Sequence, residues 1–111
     1  MKKTDKEFLA KKRPKKQHDV HLKDYELGIA HYKNLLSKGE NIPVAYINMG
    51  FIYLDKEDYE EALACFLKLA EIEPDTPDTF NNIGYVYEKM DQFDVAKQYY
   101  EKALRLNNTN T

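Results

Sequence analysis

The side chains best placed for chemistry in this sequence are two carboxamides, not acids or nucleophiles. Asn48 and Asn82 stand thirty-four residues apart in matching surroundings. A carboxamide can pair with both the N–H and the C=O of an extended chain, so one amide per unit could grip a peptide backbone. Their other reading is structural, with the amides fixing neighbouring helix ends or simply facing water. The run Lys11, Lys12, Arg13, Pro14, Lys15, Lys16 could serve nuclear import, nucleic acid or an anionic surface, or act only as a solvating tail. No aromatic is interleaved among these charges to stack on bases, which argues against sequence-specific RNA reading. His18, Asp19 and His21 fall within one turn, but two imidazoles and an acid are too few for a closed structural zinc shell, and no metal is expected. His31, next to Tyr32, reads as a surface or packing residue. Cys65 is the single cysteine and cannot form an internal disulfide. Nothing cationic nearby suggests an activated thiolate, and it reads as a small apolar core residue. No glycine-rich phosphate loop, nucleophile elbow or paired acid and base is present, so neither an enzyme nor a cofactor is expected.

A chain of 111 residues bounds one domain with a modest core. Its 42% hydrophobic and 32% charged residues fall in the ordinary range for a globular domain. No apolar run approaches the roughly 18 residues that span a bilayer. The basic start is not followed by an apolar stretch and a small-residue cleavage site. A cytoplasmic setting is therefore expected, or a nuclear one if the basic run acts as an import signal in a eukaryote. The net charge of -2 hides a division. Residues 1–16 carry eight Lys and Arg against Asp5 and Glu7, while residues 17–111 carry nine against seventeen acids. The chain thus reads as a basic arm on an acidic body.

Positioning any of these groups requires a scaffold, and its outline is a period of thirty-four residues. Pro43, Asn48, Gly50, Tyr53, Ala62 and Lys68 return in kind at Pro77, Asn82, Gly84, Tyr87, Ala96 and Lys102. Such a period means stacked helical hairpins. Residues 1–18 hold too little apolar surface to offset ordering and are expected to be a mobile arm. Leu22, Tyr25, Ile29, Tyr32 and Leu36 fall on one helical stripe, giving a helix over 19–38 with Asp19 as cap and Gly39 as stop. Pro43 suits the first turn of the next helix, which runs on through Ala45 to Leu54. Asp58 with Glu61 resembles a capping box for a helix ending near Glu73, before Pro74. The second unit repeats this plan, with Thr76 capping and Pro77 entering, Phe80 to Lys89 helical, Asp91 capping, Phe93 to Leu106 helical and a loose Asn-Thr tail.

Small residues at Gly50, Ala62, Gly84 and Ala96 suit helix crossings. Tyr46, Met49, Tyr53, Tyr59, Phe66 and Leu69, with Phe80, Ile83, Tyr87, Phe93, Tyr100 and Ala103 one period on, are expected to interlock. In this arrangement the sequence resembles the tetratricopeptide repeat (TPR) family, whose bulky-Leu-Gly-Tyr, Ala-Phe-Ala and Pro pattern is matched by Tyr46, Met49, Gly50, Tyr53, Ala62, Phe66, Leu69 and Pro74. Phe80, Ile83, Gly84, Tyr87, Ala96, Tyr100 and Ala103 match it again. Leu69, where the family prefers Ala, and Asn108, where Pro would close the unit, depart from the pattern. Tyr25, Gly28, Tyr32 and Leu35 fit the second helix of a preceding unit. The resemblance implies an all-α fold, a short right-handed superhelical stack of antiparallel helix hairpins, with a capping helix or half repeat over 19–38, repeats over 43–76 and 77–110, and one helical domain over 19–111. An RNA-reading helical repeat fits the period and the small crossing residues less well. Leu63 and Leu67 give way one period later to Lys97 and Glu101, so the last helix reads as dressed for water and the stack as a finished one. Monomer is the expected state, with homodimerisation through the N-terminal helix left open.

The resemblance also implies where a partner lies. First helices of each hairpin line the concave face in this family, which selects Val44, Ile47, Asn48, Phe51, Leu54 and Asp55 from the first unit and Asp78, Asn81, Asn82, Tyr85, Glu88 and Lys89 from the second. Relatives that hold a chaperone's C-terminal carboxylate use Lys and Asn on one first helix, Asn on the next, and Lys and Arg on a third. Here Ile47 and Phe51 replace the first pair, and Asp55, Asp78 and Glu88 would repel an anion. The expected activity is protein–protein interaction, as adaptor, scaffold or assembly factor, with an apolar or basic segment as partner. The alternatives are a nucleic-acid-associated protein working through the arm and a self-assembling scaffold.

Overall fold

A computed structural model describes the backbone of residues 15–110 and the side chains of 24–108. Five helices follow one another: α1 (Lys15–Lys38), α2 (Ile42–Asp55), α3 (Tyr59–Ile72), α4 (Pro77–Lys89) and α5 (Phe93–Asn110). Each packs on its neighbours in sequence, α1 on α2, α2 on α3, α3 on α4 and α4 on α5. That is the contact pattern of a stack of hairpins, in which every apolar stripe is covered by the next element along the chain.

The two prolines do what their chemistry requires. Pro43 lies in the first turn of α2, and Pro77 is the first residue of α4, where an absent N–H costs nothing. Helix ends follow one geometry three times. Gly39, Glu57 and Asp91 all adopt left-handed backbone, with φ of 70°, 65° and 62°. In each case the next residue's N–H reaches back to a carbonyl of the last turn: Glu40 to Leu35 at 2.9 Å, Asp58 to Tyr53 at 2.8 Å and Gln92 to Tyr87 at 2.9 Å. This six-residue closure satisfies carbonyls that a helix end otherwise leaves open.

Several local expectations are corrected. α1 begins at Lys15, inside the stretch read as an arm, so Asp19 is internal to the helix and does not cap it. Lys15, Lys16, Gln17 and His18 contain no breaker, and propensity lets the helix run back through them. Asp58 precedes α3 but makes no side-chain cap bond. Its carboxylate instead pairs with Lys56 Nζ at 3.3 Å. Thr76 likewise makes no side-chain cap bond. Asp91 belongs to the left-handed turn after α4, and Gln92 accepts the first helical bond of α5, from Ala96 N–H at 3.0 Å. α5 also continues to Asn110, through the tail expected to be loose. Lys11, Lys12 and Arg13 lie outside the described residues, as do the side chains of Lys15, Lys16, His18, Asp19 and His21.

The core runs along the stack in two clusters. Ile29, Met49 and Cys65 join α1, α2 and α3, with Tyr32, Leu36, Tyr46, Ile52 and Tyr53 around them. Ala62, Phe66, Phe80, Ile83, Val86 and Ala103 join α3, α4 and α5. Two glycines set how closely hairpin helices approach. A Cβ on Gly50 would lie 2.7 Å from the Phe66 ring, and one on Gly84 2.9 Å from the Tyr100 ring, the same contact one period apart. Tyr99 stacks with two rings, Tyr87 at 5.6 Å and Phe80 at 6.3 Å. Of the residues expected to interlock, Phe93 does not, being 61% exposed. Tyr59, its counterpart one period earlier, packs against the core that α4 helps to form, whereas no described helix follows α5.

Candidate functional site

α2 and α4 are the first helices of consecutive hairpins. Near their C-terminal ends a cleft of about 570 Å³ opens, lined by Phe51, Leu54 and Asp55 of α2 and by Tyr85 and Lys89 of α4. These five come from the residues selected by register. Phe51 is 45% exposed and Tyr85 44%, so the cleft presents two aromatic faces one period apart. Leu54 is half-buried, lining the cleft and packing against the core. Lys89 Nζ lies 5.8 Å from the centre of the Tyr85 ring, a weak cation–π contact at an exposed site. Phe51 also meets the buried Phe66 edge-on, with centroids 5.4 Å apart. Its ring is therefore part of the hairpin's packing as well as part of the cleft.

Other lining residues were not anticipated. Tyr25 of α1, Ile52 of α2, Glu57 of the turn after α2 and Tyr59 of α3 complete the wall. Tyr25 donates a hydrogen bond to Asp55 Oδ2, which ties α1 to the end of α2. That bond, with burial and the carboxylate's charge adding to it, pushes the Tyr25 hydroxyl up to about 12. A signal for this existed in the period, because Tyr25, Tyr59 and Phe93 share one register and Asp55 and Lys89 share another. The pair that closes one junction, Tyr25 with Asp55, is mirrored at the next by Tyr59 and Lys89 on the wall of the same cleft.

The remaining selected residues do not line it. Asn48 is half-buried, and its Nδ2 donates to the Tyr32 hydroxyl at 3.0 Å, so this amide fixes α1 to α2. Asn82 is half-buried too, but it makes no equivalent bond among the described residues, and the two amides are alike in register without being alike in their contacts. Val44, Asp78 and Asn81 are exposed away from the cleft, and Ile47 is half-buried. Glu88 accepts a hydrogen bond from the Tyr100 hydroxyl at 2.7 Å, across the second hairpin. Burial, then that bond and the carboxylate's charge, push Tyr100 up to about 12.

The reactive groups behave as packing. Burial raises the Cys65 thiol to about 11. Lys33 of α1 pulls the thiol the other way, but more weakly than burial does, so no activated thiolate forms. The exposed His31 ring stands edge-on to Tyr32 at 5.0 Å. No described helix is long and apolar enough to cross a membrane.

The sequence matches the family model for the tetratricopeptide repeat over residues 41–109. No curated protein matches it. Among solved structures, MamA MSR-1 C2 superposes with a TM-score of 0.72 at 18% identity, covering 83% of this chain and 53% of that one. MamA 41-end from Desulfovibrio magneticus RS-1 superposes with a TM-score of 0.72 at 19% identity, covering 93% of this chain and 63% of that one. The chain thus spans between half and two thirds of these neighbours, and the likeness is one of fold. Helical hairpins joined in chain order, glycines at their crossings and a family match over more than half the sequence place this chain in the tetratricopeptide repeat family, whose members are protein-interaction modules.

Proposed function

We propose that this protein is a non-catalytic adaptor that holds a short segment of another protein in the cleft between α2 and α4. The observation that carries this reading is the pair of exposed rings, Phe51 and Tyr85, set one period apart and lining one cleft together with Leu54. Exposed aromatic surface in a concave site is where binding energy concentrates in protein interfaces. Asp55 and Glu57 against Lys89 leave the wall acidic on balance. An apolar anchor flanked by Lys or Arg fits that wall, and a free carboxylate is disfavoured there.

Tyr85 is the better residue to test, because Phe51 also contacts Phe66. Peptides selected from a displayed random library on the intact protein should carry an apolar or aromatic anchor beside a basic residue. Tyr85→Asp should weaken them by roughly tenfold or more, as expected for loss of about 1.4 kcal/mol or more at a central contact. Circular dichroism should be unchanged. Enrichment of acidic peptides, or equal binding by the variant, would sink the proposal.

A further inference from the structure

The outer face of α5 carries a pattern that the cleft does not use. Phe93, Lys97, Glu101 and Leu104 correspond one period earlier to Tyr59, Leu63, Leu67 and Ala70, all packed against the core beneath α4. On α5 all four are exposed, Phe93 by 61% and Leu104 by 60%. At 3.6 residues per turn they fall within an arc of about 80°, so they form one stripe. The order along the stripe is apolar, positive, negative, apolar. Turned end for end it becomes apolar, negative, positive, apolar, the complement of itself.

From this we infer that α5 is an isologous contact surface for a second copy of this chain, with the two α5 helices antiparallel about a two-fold axis near residues 98 and 99. In that register Phe93 lies opposite Leu104 of the partner subunit, and Lys97 opposite Glu101 of the partner subunit, each contact occurring twice. Neither Lys97 nor Glu101 has an ion pair among the described residues. Within one helix a Lys four residues before a Glu is the less favourable order, so the two are only weakly drawn to each other along α5. A single helix face of this length buries less than the area of a standard stable interface. The dimer is accordingly weak, with a dissociation constant of roughly 10 μM to 1 mM. This surface is independent of the cleft between α2 and α4, and either can fail without the other.

Sedimentation equilibrium of the intact chain over that concentration range should show a mass rising from monomer to dimer and no further. Lys97→Glu sets acid against acid and Glu101→Lys sets base against base, and each should weaken self-association by roughly tenfold or more. The double exchange, Lys97→Glu with Glu101→Lys, should restore it. Mixing the two single variants should yield a heterodimer in which all four charges are paired with opposites. Circular dichroism of each variant should match that of the parent, since both positions are exposed. A mass that stays monomeric throughout overturns the inference, as do single variants that associate like the parent, or a mixture that does not associate. Masses climbing beyond the dimer would indicate open-ended stacking on another face and overturn it equally.

Discussion

At the scale of single residues, the position that most tightly constrains the scaffold is one without a side chain. A methyl on Gly50 would meet Cε1 and Cζ of Phe66 at 2.7 Å, and Phe66 is fully buried, so the ring has nowhere to go. A methyl on Gly28 would meet only Cδ1 of Ile52 at 2.9 Å, the end of a half-buried chain that can rotate away. Alanine in mid-helix otherwise gains about 0.5–1 kcal/mol over glycine. The two substitutions should therefore differ in sign. Gly50→Ala is expected to destabilise by about 1–3 kcal/mol through overpacking, whereas Gly28→Ala should be neutral or stabilising by up to about 1 kcal/mol. Urea denaturation of both variants checks this, and equal losses would show that Ile52 is as confined as Phe66. The same scale shows why the sequence left Asn48 open between two readings. Its chemistry suits a peptide backbone, but its partner, Tyr32, lies on a different helix, and sequence spacing within one helix carries no trace of that bond.

At the scale of elements, what the sequence reveals depends on how local the cause is. Proline fixes its own φ and lacks its own N–H, so Pro43 and Pro77 announce helix starts unaided. A cap is a choice among partners, and Asp58 turns to Lys56 in the turn before it. Phe51, Leu54, Asp55, Tyr85 and Lys89, which line the cleft, were reached through the family resemblance, which the thirty-four-residue period let the sequence carry over by register. Glu57 was not, since it reaches the cleft from a turn whose path only packing defines, while Tyr25 left a trace only in the register it shares with Tyr59. Helix ends offer a prediction of their own. Glu57 and Asp91 hold the left-handed conformation that Gly39 adopts freely. Glu57→Gly and Asp91→Gly should each stabilise by about 0.5–1 kcal/mol by removing a Cβ penalty. A rise in the thermal midpoint for both would confirm it, and a fall for Glu57→Gly alone would point to a packing role for that side chain at the cleft.

For the whole molecule, adjacency of helices in sequence order makes stability local. Cys65 reports on one end of the stack, since it is buried with Ile29 of α1 and Met49 of α2. With its thiol raised to about 11, very little thiolate exists near neutral pH, and the residue should be nearly inert while α1 is docked. Undocking of α1 exposes it without dismantling the cluster around Phe66, Ile83 and Val86. In mild urea, labelling of Cys65 should outpace global unfolding followed by circular dichroism, and Ile29→Ala should accelerate it further. Coincident rates in both proteins would mean that the five helices open as one unit. The same adjacency also sets how the domain carries load. Because every extensive helix–helix contact joins elements adjacent in the chain, tension applied along the stack is borne mainly by one interface at a time. A partner pulling on this protein would therefore meet a compliant element that lengthens by degrees, a spring in place of a rigid strut.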